Sequence, residues 1–137
     1  MKWSLQQLFK YNQVPLEFNE EIDYHEYIKN ISDILDISIV KVKGSARHLY
    51  DDRYSFDLNI KCRLVLEDAI TLDPVDFDID LDVTETFDKK VDFEVDDDTR
   101  LIEKNTIDLH DVVWENILLE KPIKVTKNMW GDNLWVL

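Results

Sequence analysis

The chain has 137 residues, 30 acidic against 16 basic side chains, a formal charge of −14 and 45% apolar residues, which is the material of one packed domain. Two glycines and three prolines leave no glycine-rich phosphate cradle and no proline-rich recognition segment. The acidic balance works against electrostatic capture of nucleic-acid phosphates or anionic lipid. It favours basic proteins instead, with association that weakens as salt rises.

A short helix is predicted to open the chain. Ser4 caps it, Gln7 stands at the capping-box position, and Leu5, Leu8 and Phe9 share a face ahead of Pro15. Residues 14 to 22 read as a first strand. Asp23 then caps a second helix with Glu26 in its first turn, and Tyr24, Tyr27, Ile28, Ile31, Ile34 and Leu35 recur at helical spacing. From Ile37 the period changes to two, in a mixed alternation expected to end at Gly44, and a polar bend follows at Tyr50 to Arg53.

Tyr54, Phe56, Leu58, Ile60 and Cys62 alternate with Ser55, Asp57, Asn59 and Lys61, the pattern of a half-buried strand. A turn at Glu67-Asp68 leads to a strand in which Phe77, Ile79, Leu81 and Val83 alternate with Asp76, Asp78, Asp80 and Asp82. Consecutive strands with short polar turns predict an antiparallel meander. Residues 88 to 105, which include Asp96, Asp97 and Asp98, are expected to form a mobile acidic loop with a short strand at 91 to 95. Asp108 caps a third helix carrying Leu109, Val112, Val113 and Ile117, and Pro122 ends it near Lys121. The apolar ending Trp135-Val136-Leu137 is unusual for a free terminus and predicts a shortened chain. The expectation is a single α+β domain over residues 1 to 137: a curved antiparallel sheet of four or five strands with two or three helices packed on it.

The charge is concentrated. Residues 73 to 98 hold 12 acids and 2 lysines, a net −10, against −4 for the rest of the chain. One reading makes Asp76, Asp78, Asp80, Asp82 and Asp96 to Asp98 the contacts for a basic partner, and the plainer one makes the ladder a solvated face that keeps a strand from pairing with other chains. A calcium loop is disfavoured by the missing turn glycine and terminal glutamate. His25, His48 and His110 lack zinc-ligand spacing and are expected at the surface or beside helix caps. Cys62, on an apolar strand face, is expected as an inert thiol, since reactive thiolates need electropositive surroundings. No cofactor, metal or catalytic residue is assigned. The positive residues Lys41, Lys43, Arg47, Arg53, Lys61 and Arg63 either touch RNA phosphate or balance the acidic strand beside them. A lone cysteine, no secretory signal order and no apolar stretch near the roughly 18 residues of a membrane span lead us to expect a cytoplasmic protein with no membrane partner.

Lys61-Cys62-Arg63-Leu64-Val65-Leu66-Glu67-Asp68, then Val83-Thr84-Glu85-Thr86-Phe87, then Ile107-Asp108-Leu109 running through Val113, Glu115, Ile117 and Leu119 to Pro122, resemble the YceD family of large ribosomal RNA subunit accumulation proteins. The likeness runs from Val42-Lys43-Gly44 to Pro122. Family members often carry Cys-x-x-Cys where this chain has Cys62-Arg63-Leu64-Val65, and a further cysteine pair beyond the position of Pro122, where this chain has none; no metal-dependent role therefore carries over. The resemblance implies a non-enzymatic factor of ribosome biogenesis that supports the accumulation of large-subunit (23S) rRNA. Joined to the charge, it predicts a basic ribosomal protein or assembly factor as partner, with rRNA affected indirectly. A direct RNA contact through Lys41, Lys43, Arg53, Lys61 and Arg63 is the alternative, and an uncharacterised hydrolase the third reading.

Overall fold

The computed structural model describes residues 1–92, 98–122, 124–127 and 133–136. In chain order the elements are β1 (Lys2–Ser4), α1 (Leu5–Leu8), β2 (Leu16–Ile22), α2 (His25–Ile28), β3 (Ile34–Ile37), β4 (Val40–Tyr50), β5 (Arg53–Glu67), β6 (Pro74–Asp88), β7 (Thr99–Leu101), β8 (Thr106–Asp108), α3 (His110–Glu120), β9 (Lys124–Lys127) and β10 (Asn133–Val136). The fold is α+β and mostly strand. Its main sheet has the order β2-β4-β5-β6-β7, with β3 also paired to β5, and it is open rather than closed.

The centre of the sheet is the β5–β6 hairpin, in register from Tyr54↔Phe87 to Glu67↔Pro74. Two-residue alternation of apolar side chains from Tyr54 to Leu66 and from Val75 to Val83 holds that register, because a slip of one residue would turn Leu58, Ile60, Leu64, Val75 and Ile79 out to water. All five are buried on the inner face. On that side α3 contributes Val112, Val113, Trp114 and Ile117 to the same core, and the buried Tyr24 donates its hydroxyl hydrogen to the His110 carbonyl at 2.6 Å. β1 pairs with β8, bringing the start of the chain beside the start of α3. β9 and β10 form a separate antiparallel ladder.

Several expectations are corrected. The sheet has six strands among the described residues instead of four or five, and β7 lies parallel to β6, so it is not a pure meander. The second helix ends at Ile28, because Ile34 and Ile37 pair with Leu66 and Leu64 on β5; tertiary pairing overrides the helical spacing. Gly44 lies inside β4 and does not end it. The mixed alternation has a cause here: β3 and β4 line the same edge of β5, and between them the inward parity switches from Ile37 to Val40 while Ile39 is exposed. Ser38 covers the break, its amide donating to Arg63 O at 2.9 Å and its Oγ accepting from Arg63 N at 2.8 Å. Of the loop expected at 88 to 105, residues 99–101 are β7 and its end is tied back by Ile102 N to Asp88 O at 2.9 Å. Most of the strand expected at 91 to 95 lies outside the described residues. His48 is buried.

Candidate functional site

The face of the sheet turned away from the core carries the residues singled out by charge. Asp76, Asp78, Asp80 and Asp82 all project from it and are exposed, as β6 parity requires once Val75, Phe77, Ile79 and Leu81 face inward. Lys41 and Lys43 on β4 and Lys61 and Arg63 on β5 are exposed on the same face. Cross-strand register arranges these side chains in rows: Glu21, Lys41, Lys61 and Asp80 in one, and Asn19, Lys43, Asn59 and Asp82 in the next.

Opposite charges meet between β5 and β6. Arg63 Nε lies 2.6 Å from Asp78 Oδ1 and its Nη1 3.9 Å from Asp76, Lys61 Nζ is 4.0 Å from Asp80, and the Asn59 amide reaches Asp80 and Asp82 at 2.9 Å each. The hydrogen bond and charge of Arg63 hold the Asp78 carboxyl below the usual aspartate range, and Asp78 in turn raises Arg63. Lys41 and Lys43 have no carboxylate within 4.0 Å among the described residues. Arg53 stands apart from this group: it is half-buried at the β4–β5 hairpin, donating to Asp88 at 3.3 Å and Thr99 at 3.2 Å. Asp98 is exposed, and Asp96 and Asp97 lie outside the described residues.

The middle of this face is a shallow concavity of about 740 Å3, bordered by Glu17, Asn19, Lys43, Ser45, Asp57 and Asp82 among others. Behind it, Gly44 makes room for the Phe18 ring: a Cβ at that position would stand 2.6 Å from Phe18 Cζ, 2.9 Å from Leu58 Cδ2 and 3.0 Å from Asp57 O. The ring packs between Trp3 and Phe56, with centroids at 4.8 and 6.4 Å.

Residues 56–133 match the family described as "Large ribosomal RNA subunit accumulation protein YceD". The chain belongs to the YceD family. It is also 36% identical over 126 residues to "Uncharacterized protein YlbN" of Bacillus subtilis (strain 168), a span covering 91% of this chain and 73% of that relative. No solved structure matches it significantly. The YceD match takes in β5 from Phe56 onward, the β6 aspartates and α3, and it begins after Lys41, Lys43 and Arg53.

The other candidate side chains of this YceD-family chain include Cys62, His25 and His48. Burial, with a smaller contribution from Asp78, pushes the Cys62 thiol up to about 11, and no hydrogen bond joins it to a histidine among the described residues. His25 is exposed between Asp23 and Asp36, its Nε2 3.0 Å from the latter, and these carboxylates raise its pKa. The His48 ring nitrogens lie 2.9 Å from Phe9 O and 2.7 Å from Asp51 O, fastening the end of α1 to the β4–β5 turn. No group of His, Cys, Asp or Glu able to hold a metal ion occurs among the described residues, and none of their helices is long and apolar enough to cross a membrane.

Sequence reasoning missed one cluster. Arg100 on β7 bridges Glu85 at 2.8 Å and Glu115 of α3 at 2.7 Å, and Asn116 donates to Glu85 at 3.0 Å and to Val112 O at 2.9 Å. The break in the acid alternation, where Glu85 takes an inward position on β6, was the available signal.

Proposed function

We propose that the chain is a non-enzymatic cytoplasmic factor of ribosome biogenesis that supports accumulation of large-subunit rRNA by holding a basic ribosomal protein or assembly factor on its acidic strand. The single observation that carries this reading is the position of Asp76, Asp78, Asp80 and Asp82, exposed together on one side of β6. Carboxylates at alternate residues of a strand recur about 6 to 7 Å apart, a spacing that suits an extended segment with Lys or Arg at every second position. Their present partners, Arg63, Lys61 and Asn59, are themselves solvent-exposed or half-exposed. Exposed pairs of this kind contribute little to stability, so an incoming guanidinium can displace them. The family description supplies the link to large-subunit rRNA.

The test has two arms. In cells depleted of the protein, the ratio of large- to small-subunit rRNA falls; wild type restores it, and the variant with Asp76→Asn, Asp78→Asn, Asp80→Asn and Asp82→Asn does not. In vitro, the labelled chain is titrated with individually purified large-subunit proteins at rising salt, and the same variant loses the salt-sensitive binding while unfolding at the wild-type temperature. An unaltered rRNA ratio on depletion refutes the role, and unaltered binding by the variant refutes the acidic surface.

A second reading is favoured by Lys41 and Lys43, which stand exposed at alternate positions of β4 without a carboxylate partner among the described residues. Direct RNA contact there requires that charge reversal at Lys43 and Arg63 weaken RNA retention.

A further inference from the structure

The hairpin turn between β5 and β6 presents apolar side chains that the fold does not use. Ile70 is 80% exposed and Leu72 64% exposed, although Leu66 and Val75 on the flanking strands are fully buried. The turn is nevertheless well tied. The buried Asp68 carboxylate accepts hydrogen bonds from the amides of Ile70 and Thr71 at 2.8 Å each, Asp68 N donates to Asp73 O at 2.8 Å, and Leu72 N donates to Asp68 O at 3.0 Å. Leu72 has φ of 66°, a left-handed conformation that glycine or asparagine adopts far more readily than leucine. Closing a hairpin calls for polar residues and glycine here. A tied turn holding Ile70 and Leu72 out to water instead has the form of an anchor, the kind of apolar side chain that carries most of the energy of an interface.

The surrounding charge identifies what the anchor meets. Residues 65 to 83 contain seven acids and no base: the buried Asp68, Glu67, Asp73 and the four ladder aspartates, three of which pair with Arg63 and Lys61 of β5, leaving the surface around the tip acidic on balance. A second copy of the chain would bring like charges together around the tip, and an RNA offers no pocket for two aliphatic side chains. We propose that Ile70 and Leu72 insert into an apolar pocket, rimmed by Lys and Arg, on the same basic protein that the aspartate ladder attracts. This rests on the function proposed above and adds a second contact to it. The acids set the encounter rate and its salt dependence, and the apolar tip sets how long the complex lasts.

The experiment uses the full chain and the individually purified large-subunit proteins as probes, with Kd, dissociation rate and salt dependence measured for each variant. Ile70→Ser with Leu72→Ser should raise Kd by about 30-fold, mostly through faster dissociation, leave the slope of log Kd against log salt unchanged and leave thermal unfolding unchanged. Ile70→Leu with Leu72→Met should bind as wild type; a loss equal to that of the serine variant would overturn apolar insertion. Wild-type affinity in the serine variant, with binding lost in the four-asparagine variant, overturns the anchor and keeps the acidic surface. The reverse pattern keeps the anchor and overturns the acidic surface. Failure of every large-subunit protein to bind the wild-type chain overturns both.

Discussion

Gly44→Ala adds one methyl group to the middle of β4, and the structure sets what it costs. The backbone there needs no glycine for its own sake, so on propensity alone alanine should gain about 0.5 to 1 kcal/mol in a strand interior. Against that, the new carbon would stand 2.6 Å from the tip of Phe18 and 2.9 Å from Leu58 Cδ2, where carbon atoms prefer roughly 3.5 to 4.0 Å. The Phe18 ring must retreat by about 0.9 Å to reach that range, and Trp3, with its centroid 4.8 Å away, limits the retreat. The third contact, Asp57 O at 3.0 Å, is backbone of the paired strand and moves only if the ladder opens. Overpacking of this kind costs about 1 to 3 kcal/mol, with the upper half apt where neighbours are pinned. The net expectation is a loss of about 1.5 kcal/mol, a fall of roughly 6 °C in Tm for a chain of this length. Urea unfolding followed by tryptophan fluorescence measures it. In a Phe18→Leu background the alanine should cost about 1 kcal/mol less, because the ring contact is gone while those with Leu58 Cδ2 and Asp57 O remain. Equal or higher stability of Gly44→Ala, or strict additivity of the two changes, would refute the close-packing argument.

Two further outcomes follow from the polar clusters. Arg100→Ala leaves Glu85, whose side chain is only 12% exposed, with Asn116 as its remaining side-chain donor among the described residues; chemical denaturation should show a loss of about 2 kcal/mol, and a change below about 0.5 kcal/mol would contradict the assigned role. The pKa of His25 is raised by Asp23 first and Asp36 second, so the stabilisation it provides is fully present below the ordinary histidine value of 6.5 and is lost as pH rises through the raised folded value. Asp23 is lowered by its hydrogen bonds with His25, so its share is present above 3.8 and is lost as pH falls through the depressed folded value. A proton NMR titration of the His25 ring should give a midpoint above 6.5 that drops in Asp23→Asn with Asp36→Asn; an unmoved midpoint would refute the coupling.

How much of this was legible in the sequence depended on where alternation was clean. Along β5 from Tyr54 to Leu66 and along β6 from Val75 to Val83 every second residue is apolar, and both stretches lie as that pattern demands, including the exposed positions of Asp76 to Asp82. The Ser4 and Gln7 capping box and the stop of α3 before Pro122 also stand where local chemistry put them. The misses came from long-range pairing. Ile31 and Ile34 carry helical spacing, yet Ile34 finds Leu66, and a cross-strand partner 32 positions away leaves no trace in a window of one sequence. The parity switch at Ser38 and Ile39 blurred the β3 and β4 signals together. Thr99 to Leu101, short and polar, became a strand because β6 offered an edge beside Thr86 to Asp88. Arg53 looked like one of a basic group until the hairpin took it to Asp88 and Thr99.

The pairing of β1 with β8 also imposes an order of events on a chain made from its N-terminus onward. The β5–β6 hairpin closes through neighbours as near as Glu67 and Pro74, whereas Lys2, Trp3 and Ser4 find their partners only at Asp108, Ile107 and Thr106. Contacts between near residues form early and those across long separations late. α1 has four residues, far too few to persist alone in water. During synthesis the opening segment therefore waits, unpaired, until about a hundred more residues have been added, and the Trp3 ring can take its place beside Phe18 and Phe56 for good only when the β8 segment arrives.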